Sequence, residues 1–387
     1  MTWLPLFRRL SVFVLLLAGC ILLLQPVSAE TRLSIGSDAP ALDISDWLHK
    51  SVPGAKAPVT KFEKGKIYVV EFWATWCGPC IQSMPHLAML QKKFADKDVQ
   101  IISVTDEDIP TVQEFLAREA KGKDGNVMTF NELTQAYSLT ADPDGSTHND
   151  YTAAAKLNGI PVAFIVGKDS IVEWIGHPGQ MDEPLQQVVD GSWDRKVFAV
   201  EYEDEKRLES LQEAISMRIE SANGKELSPK LVSSILSTVD AFVKETKTPR
   251  VLKQAKFMQL ELRLQFMPND DLTLASYESV AEFFETRPLE LNGLNWGIFE
   301  LVSNGHIKNR KFSEALLSST QKLVDKVPAN QVGTVYDTIS HLQHFLGDLD
   351  SALKSAKLAA AAPDASPDIQ AFVSKLEAEL AEKQAPK

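Results

Sequence analysis

Cysteine is almost missing from this sequence. The 387-residue chain has three, and Cys20 falls inside an apolar N-terminal run, leaving only Cys77 and Cys80. Two cysteines three positions apart cannot staple a small secreted scaffold, and they are too few for the four ligands of a structural zinc site. As an inert bridge they would achieve little, because so short a loop restricts the unfolded chain only slightly. A basic excess is missing too: 40 Lys and Arg against 52 Asp and Glu leave a net charge of −12. That balance argues against a nucleic-acid partner and offers no polybasic face to anionic lipid. Long apolar stretches are scarce. Leu10 to Leu24 carries no charge, but 15 residues are short for a bilayer-spanning helix.

What surrounds that stretch is informative. Arg8 and Arg9 precede it and Val27-Ser28-Ala29 follows, the layout of a secretory signal (residues 1–29) with cleavage expected after Ala29. Two other readings share the segment. Leu17-Ala18-Gly19-Cys20 looks like a lipobox that would leave Cys20 lipidated, although Ile21 to Leu24 prolong the apolar run; uncut, the segment would be an anchor. All three place the folded part outside the cytoplasm, in the periplasm or its equivalent.

With 44% apolar and 24% charged residues, the remainder reads as a folded chain long enough for two domains. Residues 31 to 60 read as a short lead-in strand and loop. Ile67 to Ala74 is a dense β-branched and aromatic run, the pattern of a buried central strand, and it stops where the cysteines begin. Ile81, Met84, Leu87, Met89, Leu90 and Phe94 then recur at helical spacing, with Pro85 expected to kink the helix. A strand over Val99–Val104 follows, then a helix over Thr111–Glu119 capped by Thr111, and a polar turn over Lys121–Asn126. Short strands are expected over Val127–Phe130 and Ala136–Leu139, and a helix over His148–Leu157. Two strands, Ile160–Val166 and Ile171–Ile175, and a helix over Met181–Asp190 close the α/β part, residues 30–194. Residues 195–387 carry almost no strand signal and read as an α-helical domain interrupted by prolines. Phe312–Leu316 and Leu349–Leu353 are similar at an offset of 37, close to the 34-residue period of tetratricopeptide hairpins.

The chemistry sits at the strand-to-helix junction. Cysteines at i and i+3 on a first helical turn share one face, near disulfide reach. The unpaired N–H groups and partial positive charge of the helix start favour a thiolate at Cys77, while Cys80, one turn in, suits a resolving role. Glu71 is a charge inside an apolar strand. It is either an edge glutamate facing solvent or paired with Lys66, or a buried acid whose raised pKa suits proton transfer.

Phe72-Trp73-Ala74-Thr75-Trp76-Cys77-Gly78-Pro79-Cys80 resembles the active-site segment of the thioredoxin superfamily, most closely its exported TlpA/ResA-type branch. Pro85 is similar to that family's helix proline, and Gly159-Ile160-Pro161-Val162 to its Ile-Pro loop, in which the proline is cis and faces the cysteines. The resemblance covers about residues 35 to 190 and implies a thioredoxin-like fold: a central mixed sheet flanked by helices, followed here by an all-α extension. It also implies thiol–disulfide exchange on protein disulfides by Cys77 and Cys80. Glu71 would move the proton, Trp76, Ile160 and Pro161 would contact substrate, and no cofactor or metal would be needed beyond the Cys77–Cys80 disulfide. A membrane or soluble electron donor must recharge the pair. Gly78 stands where many members of the branch have proline; Cys77-Gly78-Pro79-Cys80 follows the pattern of reducing thioredoxins, so the expected direction is reduction.

Other residues draw plainer expectations. Trp73 belongs to the core, His86 faces solvent, and His177-Pro178 is loop structure. His341 and His344 share a face without an evident acidic or thiol partner, so no metal is expected. Glu201–Glu205 reads as a solvated helix start. The competing reading is a non-catalytic assembly protein whose helical half docks a protein partner.

Overall fold

Consecutive β-branched and aromatic residues favour extended backbone, and Ile67–Phe72 forms a strand, β2, with all six residues buried. The computed structural model of the chain describes residues 32–49, 56–121 and 127–384. The signal segment and residues 122–126 of the expected turn lie outside the described residues. Around β2 lie β1 (Asp46–Trp47), β3 (Val99–Thr105), β6 (Ser138–Ala141), β7 (Val162–Val166) and β8 (Val172–Gly176), while β4 (Glu119–Lys121) and β5 (Val127–Thr129) form a separate pair. The six-stranded sheet has the order β1-β6-β3-β2-β7-β8. Its β2–β3 and β3–β6 pairs are parallel and the other three antiparallel, so the sheet is mixed.

Helices α1 (Gly78–Lys93), α2 (Ile109–Leu116), α3 (Phe130–Thr134) and α5 (Asp182–Asp190) accompany the sheet, with α4 (Ser146–His148) continuing as a π-turn through Ala153. On one face Val69, Ile101, Ala163 and Ile165 bury against Met84 and Leu87 of α1, Phe115 of α2 and Leu185 of α5. On the other, the Tyr151 ring lies 5.1 Å from Phe164 and 5.9 Å from Phe72. This is the central mixed sheet flanked by helices that the sequence implied.

Several local expectations need correction. The Asp108 carboxylate accepts the Thr111 N–H at 2.8 Å, so Asp108 caps α2 and Pro110 sits in its first turn, where a missing N–H is harmless. Phe130 leaves the strand to open α3, whose start is a capping box of Thr129 and Glu132. The strand expected at 136–139 lies at Ser138–Ala141, and Met89, read as part of the apolar stripe of α1, is exposed.

Contacts divide the chain into two compact units between Val200 and Glu201, inside α6 (Arg195–Glu220). The second unit continues with α7 (Pro229–Glu245), α8 (Pro249–Phe266), α9 (Asp271–Ala281), α10 (Pro288–Ser303), α11 (Arg310–Gln321), α12 (Gly333–Phe345), α13 (Leu349–Ala361) and α14 (Ile369–Gln384). Three of the prolines read as interruptions are starts: Pro229, Pro249 and Pro288 stand at the first positions of α7, α8 and α10, where their fixed φ fits. The two similar segments lie at the starts of α11 and α13, and Phe312, Leu316, Val335 and Leu342 bury in one cluster. The Glu201–Glu205 run is not a solvated start. Tyr202 and Asp204 are buried, Asp204 accepts the Thr248 hydroxyl at 2.7 Å, and Glu201 pairs with Arg250 at 2.9 Å. No helix among the described residues is long and apolar enough to cross a membrane.

Candidate active site

The chain leaves β2 at Phe72, crosses Trp73–Trp76, and enters α1 at Gly78 with Cys77 as the N-cap residue. This is the carboxyl edge of a parallel strand pair, where α/β proteins place their chemistry. Cys77 and Cys80 are joined as a disulfide, their α-carbons 5.2 Å apart. The Cys80 N–H points at Cys77 Sγ at 3.2 Å, so this sulfur faces the helix end whose unpaired donors favour negative charge. On its other side the same sulfur lies 3.7 Å from the Ile160 carbonyl oxygen, and the Ile160–Pro161 peptide is cis. Two segments 83 residues apart in sequence therefore meet at one atom.

Exposure is uneven across this junction. Trp76 is 75% exposed and Gly78 and Pro79 are open to solvent, whereas Cys77 is 4% and Cys80 1% exposed. The sequence led to an accessible sulfur; in the disulfide form the rim is accessible and the sulfurs are covered. The reason is local, since Cys77 Sγ is held between the start of α1 and Ile160. Trp73 lies in the core, 5.6 Å from the Phe115 ring. Pro85 lies inside α1 on its exposed side. His86 does not simply face solvent: its Nε2 lies 3.0 Å from Asp182 at the start of α5.

Glu71 is no edge residue. Its strand has β3 on one side and β7 on the other, and the register sets it opposite Ser103 and Ala163. The Ser103 hydroxyl donates to Glu71 Oε2, and Lys66 instead pairs with Glu63 at 2.8 Å. Burial pushes the Glu71 carboxyl up to about 7, against the downward pull of the Ser103 hydrogen bond. By strand alternation Glu71 shares with Ile67 and Val69 the face that α1 covers. Tyr137 is buried in the same cluster, where burial first and the Glu71 charge second raise its phenol well above its ordinary value.

Sequence reading passed over Ser103, Tyr137 and Glu107. The Thr75 N–H donates to Glu107 Oε2 at 2.6 Å and the Thr75 hydroxyl to Oε1 at 2.7 Å. The available signal was position: Glu107 lies just past the carboxyl end of β3, beside the strand that leads to the cysteines. The histidines of the helical unit also gain partners. Asp337 lies 3.2 Å from His341 Nδ1, and Glu379 lies 2.8 Å from His344 Nε2. His177 is loop structure, its Nδ1 accepting the Gly179 N–H at 3.1 Å. Among the described residues no group of three His, Cys, Asp or Glu side chains could hold a metal ion.

Comparison with known proteins adds the following. Residues 35–175 match the AhpC/TSA family. Thiol–disulfide oxidoreductase ResA of Bacillus anthracis is 33% identical over 173 residues, 44% of this chain and 86% of its own length. Thioredoxin-like protein YneN of Bacillus subtilis is 41% identical over 162 residues, 42% of this chain and 82% of its own. A crystal structure of a thiol:disulfide interchange protein of the thioredoxin family from Chlorobium tepidum is similar over 40% of this chain and 97% of its own, with 18% identity and a TM-score of 0.29.

Proposed function

Because the chain belongs to the thioredoxin-like thiol–disulfide oxidoreductases of the ResA type, we propose that it reduces disulfides of exported proteins through Cys77 and Cys80. The observation that carries this reading is the Cys77–Cys80 disulfide at the N-terminus of α1, with Cys77 Sγ beside the Ile160 carbonyl. In the reduced form the Cys77 thiolate attacks one sulfur of a substrate disulfide, forming a mixed disulfide and releasing the other sulfur as a thiolate. Cys80, deprotonated by Glu71, then attacks Cys77 Sγ, which frees the reduced substrate and leaves the Cys77–Cys80 disulfide. The two electrons passed to substrate are replaced by a dithiol reductant, membrane-bound or soluble. A carboxyl near 7 can take and return a proton at neutral pH, which an ordinary glutamate cannot do efficiently. Trp76 supplies an exposed apolar surface, and the Ile160–Pro161 segment lies where an extended substrate chain would pass.

The reducing direction draws support from the Gly78-Pro79 pair between the cysteines, and the exported location from the signal-like pattern of residues 1–29. The helical half, residues 195–387, lies beyond the matched segment and is assigned to binding a protein partner or selecting the substrate. Insulin reduction by dithiothreitol tests the core reading: wild type accelerates it and Cys77→Ser does not. Equilibration of the pair with glutathione tests direction, since a potential near that of strong oxidants, about −120 mV, would overturn reduction.

A further inference from the structure

The five residues between β2 and α1, Trp73–Cys77, have few fixed points. The Trp73 N–H donates to the Val104 carbonyl at 3.1 Å, and the Cys77 N–H to the Ala74 carbonyl at 3.1 Å. Between them, Thr75 is held by Glu107, once through its N–H and once through its hydroxyl, its side-chain and N–H partners among the described residues. Both bonds are charge-assisted and short, the stronger class of hydrogen bond. Glu107 is itself tied to the end of β3: Thr105 Oγ1 lies 3.3 Å from Oε2 and accepts the Glu107 N–H at 3.3 Å. The neighbouring acids are not alternatives, since Asp108 caps α2 through Thr111 and Asp106 is exposed. Thr75 stands two residues before Cys77, so the carboxylate controls where the loop hands over to the helix.

We propose that Glu107 is a positioning residue of the exchange site, pinning Thr75 so that Cys77 faces the Ile160–Pro161 segment. This rests on Cys77 being the attacking sulfur. Attack on a protein disulfide requires both alignment and docking of the substrate, and a displacement of about 1 Å can slow such a reaction about 100-fold. A small alkylating reagent needs neither.

The test uses the full chain, reduced, and measures rates over a pH series so that the limiting value at full ionisation separates placement from thiol pKa. Glu107→Ala is expected to lower the limiting rate of reaction with insulin roughly 10- to 100-fold, while limiting alkylation by iodoacetamide falls less than about threefold. Glu107→Gln, whose amide can accept the Thr75 N–H and donate to its hydroxyl, is expected to recover most of the loss. If Glu107→Ala does not fold, Thr75→Val against Thr75→Ser makes the same comparison, with serine recovering what valine loses. A Glu107→Ala limiting rate within about twofold of wild type would overturn the proposal, as would a Glu107→Gln no faster than Glu107→Ala or equal falls in both reactions. A wild type that fails to reduce insulin would instead remove the underlying reading of Cys77.

Discussion

Replacing Glu71 by glutamine should make the protein more stable, and only at high pH. In the folded chain this carboxyl titrates at about 7, against an ordinary value of 4.5, because it is fully buried on an inner strand. Between those two values the native state keeps a proton that the unfolded chain releases, so stability falls as pH rises through the window. At about 1.36 kcal/mol per pH unit, crossing that window places the alkaline native state about 3 kcal/mol below its acid-side stability. Glutamine matches the shape, can still meet the Ser103 hydroxyl, and carries no charge to desolvate. Wild type and Glu71→Gln should therefore unfold alike at pH 4, below the window, while at pH 8.5 the variant gains about 3 kcal/mol. Guanidinium unfolding of the oxidised protein, followed by tryptophan emission, reads this difference. The emission reports mostly on the sheet-containing unit, which holds Trp47, Trp73, Trp76, Trp174 and Trp193, with Trp296 in the helical one. A gain equal at both pH values, or a less stable variant at pH 8.5, would refute the burial argument.

Two further outcomes follow from the same geometry. Ser103→Ala removes the hydroxyl that stabilises the Glu71 carboxylate, so the Glu71-dependent limb of the pH–rate profile for insulin reduction should move to higher pH, by up to about one unit; a move to lower pH would contradict the assignment. Trp76→Ala should leave unfolding free energy within about 0.5 kcal/mol of wild type, because the side chain is mostly exposed, yet raise KM for protein disulfides several-fold. An unchanged KM would remove Trp76 from the substrate surface.

The parts of this site that were legible in the sequence share a local cause. The apolar run Ile67–Ala74, a cysteine pair at helical spacing and an Ile-Pro dipeptide each carry their signal within a few residues. Glu71 was legible as a candidate because a charge inside such a strand violates its own surroundings. The Thr75–Glu107 contact was not, since its partners lie 32 residues apart and meet only through the parallel β2–β3 register. Ser103 was hidden for the same reason, being an ordinary strand residue until the β2–β3 pairing sets it opposite Glu71, and Tyr137, just before β6, meets the same core only through the fold. Thr111 reads as a cap from its residue type, but Asp108, three residues earlier, is an equally good capping residue and makes the bond. The histidines divide instructively: Asp337, four residues before His341, was within reach of helical spacing, whereas Glu379 comes from a different helix, 35 residues from His344.

The division of labour between the two sulfurs is open to direct capture. Cys80→Ser, reduced and mixed with a disulfide-containing protein, should accumulate a mixed disulfide that peptide mass spectrometry places on Cys77, while Cys77→Ser yields none at a comparable rate. An adduct forming as fast on Cys80 in Cys77→Ser, or no adduct in either variant at neutral pH, would contradict the proposed exchange.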